Sequence, residues 1–166
     1  MANRGFQRIG FVNDSFIDRR NLRSYSSAFL TAQAFAPDRV EREMITLDMM
    51  PRGAMSPKDA TRLRAWCGRF RPDVVIYPEE GTLAAIRKAA PGLPEKLPAA
   101  YALLCLPPAS LGPHRHAGVD EDWPGMAERA VEILVSHLQH GRYGLPAKAV
   151  RTLVSCAWQD GPSLGR

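Results

Sequence analysis

Short apolar runs alternate with longer runs of helical spacing along nearly the whole chain, and this alternation leaves few folds open. Gln7–Asn13 (QRIGFVN) reads as a buried strand. Asp73–Tyr77 carries the β-branched run expected of a strand buried on both faces of a parallel sheet. Between them, Leu22, Ser26, Phe29, Leu30 and Gln33 keep helical spacing and predict one helix ended by Pro37. Arg42–Met49 alternates as a second strand. In SPKDATRLRAWCGRF, Ser56 caps a helix, Pro57 takes its first position, and Asp59 lies in its first turn. Ala60, Leu63, Trp66, Cys67 and Phe70 form its apolar stripe. EEGTLAAIRKAA predicts a short helix stopped before Pro91-Gly92, LPAAYALLCL a fourth strand, and Arg151–Trp158 a last strand before a frayed tail. Such an order predicts one α/β unit over 1–166, with a doubly wound, mainly parallel sheet flanked by helices.

The stretch GVDEDWPGMAERAVEILVSHL, Gly118 to Leu138, does not fit that scheme easily. Asp122 can cap a helix there, Pro124 suits its first turn, and Gly141 closes it. Ala127, Val131, Leu134 and Leu138 make one apolar seam, and Met126, Ala130 and Ile133 a second. A face this wide needs more than one element against it. The chain's own sheet can cover one seam, and the other calls for a partner. Two-fold pairing of one patch is the commonest closed arrangement, so a homodimer is expected. The preceding PPASLGPHRHAG is long enough to carry the helix to a neighbour.

Other classes are disfavoured by what the sequence contains. No apolar run reaches the roughly eighteen residues of a membrane span. MANRGFQRIGF lacks the apolar core of a signal peptide, which predicts the cytoplasm. Cys67, Cys105 and Cys156 form no CxxC pair and are expected to be buried, reduced thiols. The net charge of +5 is spread among acids with no basic helix, which reads as solvated surface rather than a nucleic-acid face. There is no GxGxxG after the first strand, no GxxxxGK[ST], no GxSxG and no HExxH, so neither a cofactor nor a catalytic group is expected. His114 and His116, like His137 and His140, lack converging partners and read as surface histidines rather than metal ligands.

Ligands of doubly wound sheets bind outside the carboxyl ends of the strands. Those ends carry NDSF (Asn13–Phe16), PEE (Pro78–Glu80) and the loop from Leu106. Glu79 and Glu80 leave a strand in succession, so one should face the crevice and the other solvent or the next helix. Asp14 and Arg20 supply an acceptor and a fork-shaped donor beside Phe16 and Tyr25, a set suited to a polar, sugar-like ligand. Locally, a helix cap at Asp14 or Ser15 and a surface arginine account for the same residues.

GFQRIGFV, LRAWCGRFRPDVVI, GLPEKLPAAYALL and AGVDEDWPGMAERAVEILVSHLQHGRYGLPAKAVRTLVSCAWQDGPSL resemble, in order and spacing, the later part of the effector-sensing domain of LacI/GalR transcription regulators. The C-terminal segment is the most specific. The resemblance implies a periplasmic-binding-protein-like sensor of two α/β subdomains, with a small ligand, commonly a sugar, in the cleft between them. DNA affinity would reside in an N-terminal helix-turn-helix. Both that headpiece and most of the first subdomain lie outside the matched sequence. The helix matching Pro124–His140 would pack on the first subdomain, or here on a partner chain, through Met126, Ala127, Ala130, Val131, Leu134 and Leu138. Departures concentrate at the effector motifs. Glu79-Glu80 stand where the family often has Asn-Asp, and Tyr25 stands where its first helix has arginine, with Arg20 and Arg23 just upstream. The expected ligand contacts are Asp14, Arg20, Arg23, Tyr25 and Glu79. The rivals are a stand-alone flavodoxin-like binding protein or enzyme, and a dimerisation module without ligand.

Overall fold

In the computed structural model, the buried run read from the first strand becomes β1 (Arg8–Asp14), the centre of a parallel trio. The structure describes residues 1–35, 40–50, 54–89, 97–98, 100–108, 115–146 and 148–165. Around β1 stand α1 (Ser15–Arg20), α2 (Ser24–Ala34), β2 (Glu41–Leu47) and a small antiparallel pair, β3 (Met49–Met50) with β4 (Ala54–Met55). Then come α3 (Pro57–Phe70), β5 (Val74–Tyr77), α4 (Glu80–Ala89), β6 (Tyr101–Leu103), β7 (Ala117–Asp120), α5 (Trp123–Gln139) and β8 (Ala157–Gln159). The sheet order is β2-β1-β5-β6-β7-β8, parallel throughout except for β8, which pairs antiparallel with β7. This is the predicted α/β architecture.

The sheet is apolar on both faces, as parallel strands between helices must be. Successive residues of β5 alternate. Val75 and Tyr77 join Val12, Leu47, Leu63, Trp66, Leu83, Ile86 and Leu103 beneath α3 and α4. Val74 and Ile76 join Ile9, Ala102, Ala117 and Leu164 on the opposite face. There α2 supplies Phe29, whose ring centroid lies 5.2 Å from that of Phe11. Helix α3 forms as its sequence demands: the Ser56 hydroxyl accepts from the Asp59 amide, Pro57 opens the helix, and the Ala60–Leu63–Trp66–Cys67 stripe is buried.

Several expectations need correction. The helix after β1 is two helices, because Leu22 and Arg23 take left-handed backbone angles and break it. Only Phe29 of α2 is buried, while Leu22 and Leu30 are exposed. AGVD is a strand rather than the lead-in to a helix. The last strand covers only Ala157–Gln159, and Cys156 is exposed rather than buried. The tail is not frayed. Ser163 donates to the Tyr101 carbonyl and accepts from the Ala117 amide, and Leu164 is buried beside Ala117. His116 is no surface histidine: Nδ1 pairs with the Tyr101 hydroxyl at 2.8 Å and Nε2 with Glu80 at 3.3 Å. Pro37, Pro91, Gly92, His114 and the middle of the Pro/Gly-rich linker lie outside the described residues.

Helix α5 matches its expected start. Asp122 caps it by accepting from the Gly125 amide, and Pro124 follows in the first turn. Among the described residues none of α5 is buried, and Val131, Leu134, Val135 and Leu138 are exposed. The return segment runs back along α5 without secondary structure. It leaves a groove of about 870 Å³ lined by Ile133, His137, Tyr143, Leu145 and Val150, among others. Leu153, on the same segment, is also exposed. Neither apolar seam of α5 has found the sheet.

Candidate functional site

The carboxyl ends of β1, β5, β6 and β7 open on one edge, where a doubly wound sheet places its ligand. Asp14 ends β1 and caps α1, accepting from the Phe16 amide at 2.8 Å. It is buried, and burial pushes its carboxyl above the usual aspartate range against the pull of the Phe16 and Ile17 amides. The cap reading thus describes Asp14. Arg23 is exposed in a left-handed turn at the start of α2, and its carbonyl accepts from Ser26.

The remaining three expected residues do converge. Tyr25 lies in the first turn of α2 and is half-buried. Burial raises its hydroxyl, helped by the charges of Glu121, Cys105 and Glu79, while Arg20 opposes them. Glu79 and Glu80 part as expected. Glu79 turns into this group, whereas Glu80 opens α4 and bonds His116.

Two members were not singled out from sequence. Cys105 follows β6, and its thiol donates to Glu121 Oε2 at 2.9 Å. Glu121 follows β7, one residue before the cap of α5. Burial pushes the Cys105 thiol up to about 12, with the hydrogen bond to Glu121 and the charges of Glu121 and Glu79 adding to it. A thiol held protonated is the reverse of an activated nucleophile. The signal that would have found Glu121 was the strand AGVD, whose carboxyl end must carry its next residue to this edge.

A third is Asn13. It is buried, and neither its Oδ1 nor its Nδ2 has a partner. Alternation along β1 places it on the face of Phe11. From the Phe11–Phe29 contact, two residues up the strand lead to Asn13, and one turn back along the opposed helix leads to Tyr25. Those steps, about 6.6 and 5.4 Å, carry both residues toward the carboxyl edge of the sheet on the face that α2 covers.

No family model matches the chain, and no curated protein matches it. Among solved structures, a crystal structure of an uncharacterized protein from Actinobacillus succinogenes is similar, with a TM-score of 0.54 and 13% identity. The likeness covers 98% of this chain and 57% of that one, and at this identity it concerns the fold alone. The chain therefore spans little more than half the length of a protein whose fold it shares. Among the described residues no helix is long and apolar enough to cross a membrane, and no group of three metal-ligating side chains gathers.

Proposed function

We propose that this chain is the second, ligand-sensing lobe of a LacI-type transcription regulator and binds a small polar effector at the carboxyl edge of its sheet. The observation that carries this reading is the position of α5. Helix α5 starts two residues beyond Glu121 of the crevice and leaves the domain with its apolar face bare, and the chain returns as β8 beside the strand it left. A helix of this kind fits a two-lobed sensor, where it packs on the first lobe and that lobe closes the crevice from above. Specific DNA recognition would belong to a separate helix-turn-helix.

The site binds and does not catalyse. Its one thiol is kept protonated by burial and by its hydrogen bond to Glu121, and the carboxylates of Glu79 and Glu121 act on the Tyr25 hydroxyl. Arg20, Tyr25 and Glu79 together offer a fork donor, a hydroxyl and an acceptor, as a polyol requires. Asp14 caps the start of α1 and Arg23 lies in the α1–α2 turn, so neither is assigned to the ligand.

Nuclear magnetic resonance titration of the chain with a library of sugars tests the reading. Saturable shifts are expected at the amides of Tyr25, Glu79, Cys105 and Glu121, spreading into the first turn of α5. Saturable shifts confined to a surface away from the sheet's carboxyl edge would overturn it.

A further inference from the structure

The crevice is acidic in a basic chain. The protein carries +5 overall, yet the ends of β5 and β7 bring Glu79 and Glu121 to this one edge, and both act on Tyr25 together with Cys105 while Arg20 opposes them. Glu121 has a donor in the Cys105 thiol, which neutralises none of its charge. Among the described residues no ion pair joins either carboxylate to a cation of the chain. An incoming cation meets two carboxylates that no cation of the described chain pairs with.

A second, independent feature points to a ligand at the same place. The Asn13 amide lies near the carboxyl end of β1, on the face that α2 covers, buried with both oxygen and nitrogen unpaired. Buried polar side chains are nearly always satisfied, and this one stands one residue before the end of β1, at the sheet's carboxyl edge. A ligand group entering at that edge would give the amide an acceptor and a donor at once, as a hydroxyl does.

We propose that the ligand of this crevice is an amino-bearing polyol, such as an amino sugar, whose ammonium is held between Glu79 and Glu121 while Asn13 and Arg20 take its hydroxyls. The inference rests on the sensing role argued above and names the chemical class that role would serve. An ammonium has three donors and no acceptor, which matches two carboxylates. A neutral hydroxyl in the same position leaves their charge uncompensated. A phosphate or carboxylate ligand meets them directly and is repelled.

The test is a calorimetric and magnetic-resonance titration with matched pairs: glucosamine against glucose, galactosamine against galactose, and glucose 6-phosphate as the anion. One amine is expected to bind at least about tenfold more tightly than its neutral partner, with shifts at Tyr25, Cys105 and Glu121, and the phosphate not to bind. Glu79→Gln and Glu121→Gln should each reduce that preference several-fold in a chain with an unchanged thermal melt. Glu79→Gln leaves the Cys105–Glu121 contact in place and so serves if Glu121→Gln unfolds. Equal binding of amine and neutral sugar at the crevice, or preferred binding of the phosphate there, overturns the amine while leaving the sensing role intact. Absence of saturable shifts at the crevice from every compound overturns both.

Discussion

Replacing Val131 and Leu134 together by Glu should turn a self-associating chain into a monomer. The two side chains are 60% and 59% exposed, in a helix with no buried residue. Full burial of such a side chain is worth about 1.5–3 kcal/mol, so the exposed share leaves about 1–2 kcal/mol each unclaimed. Val135 and Leu138, at 44% and 50%, add about as much again. In a two-fold pair every contact counts twice, giving about 10 kcal/mol in gross terms from α5. Association costs roughly 4–15 kcal/mol, so the helix alone is marginal, and the bare Leu145, Val150 and Leu153 of the return segment must join it. Together these groups set the expected Kd of the isolated chain near the micromolar range, about −8 kcal/mol. Two glutamates in that contact would each cost several kcal/mol of desolvation and abolish it. Sedimentation equilibrium of both proteins is the assay. A compact wild-type monomer at about 1 mM, unchanged by the double substitution, would refute the reasoning, since it would mean that α5 has found cover within its own chain.

Other consequences are open to measurement. Asn13→Leu should leave stability unchanged or raise it by about 1 kcal/mol in urea, because an unpaired buried amide is lost, while ligand affinity falls; a large loss of stability would show the amide to be paired. Asp14 has a folded-state pKa raised by burial, so its contribution to stability is fully present below the unfolded value near 3.8 and is lost as pH rises through the folded value. Asp14→Asn keeps the acceptor for the Phe16 amide and should match or exceed the wild type at pH 7, whereas Asp14→Ala should lose about 1 kcal/mol with the cap; equal stability of the two variants would sink this. Iodoacetamide should modify exposed Cys156 well before Cys105, and Glu121→Gln should speed the reaction at Cys105 by lowering its thiol from about 12; no change in rate would count against the Glu121 bond. Gly118→Ala would press a methyl against the Leu103 carbonyl and the Leu106 side chain and should cost about 1–3 kcal/mol by thermal melting, with an unaltered melt as the refuting result.

The parallel sheet was legible because its signals are local. VVIY needs apolar neighbours on both sides, and SPKDATRLRAWCGRF carries a cap, a proline and a stripe that agree with one another. AGVD was missed because three of its four residues are weak strand formers, and only pairing with β6 and β8 makes them a strand. The break between α1 and α2 was hidden because Leu22 and Arg23 take left-handed angles that sequence assigns to glycine or asparagine. Within the crevice, Arg20, Tyr25 and Glu79 could be named from the ends of β1 and β5. Glu121 and Cys105 could not, because their meeting joins the ends of β6 and β7 and exists only once that pairing is known. The tail misled for a like reason, since Ser163 is ordered by groups more than forty positions earlier. Polar, glycine-rich composition says nothing of such distant bonds.

Gly118 faces Gln159, Val119 faces Trp158 and Asp120 faces Ala157 in continuous antiparallel register. That is the register of a β-hairpin. By topology, then, α5 and its return segment are the contents of one hairpin loop, inserted between two strands that would pair if joined by a tight turn. The sheet does not need the arm to define its order, and the arm's ends stay side by side whatever the arm embraces. A lineage could lengthen, exchange or discard everything between Asp120 and Ala157 while leaving the floor of the crevice where it is. The same adjacency makes the two strands a double strap, so a displacement of the arm reaches the sheet beside Glu121 through two strands rather than one.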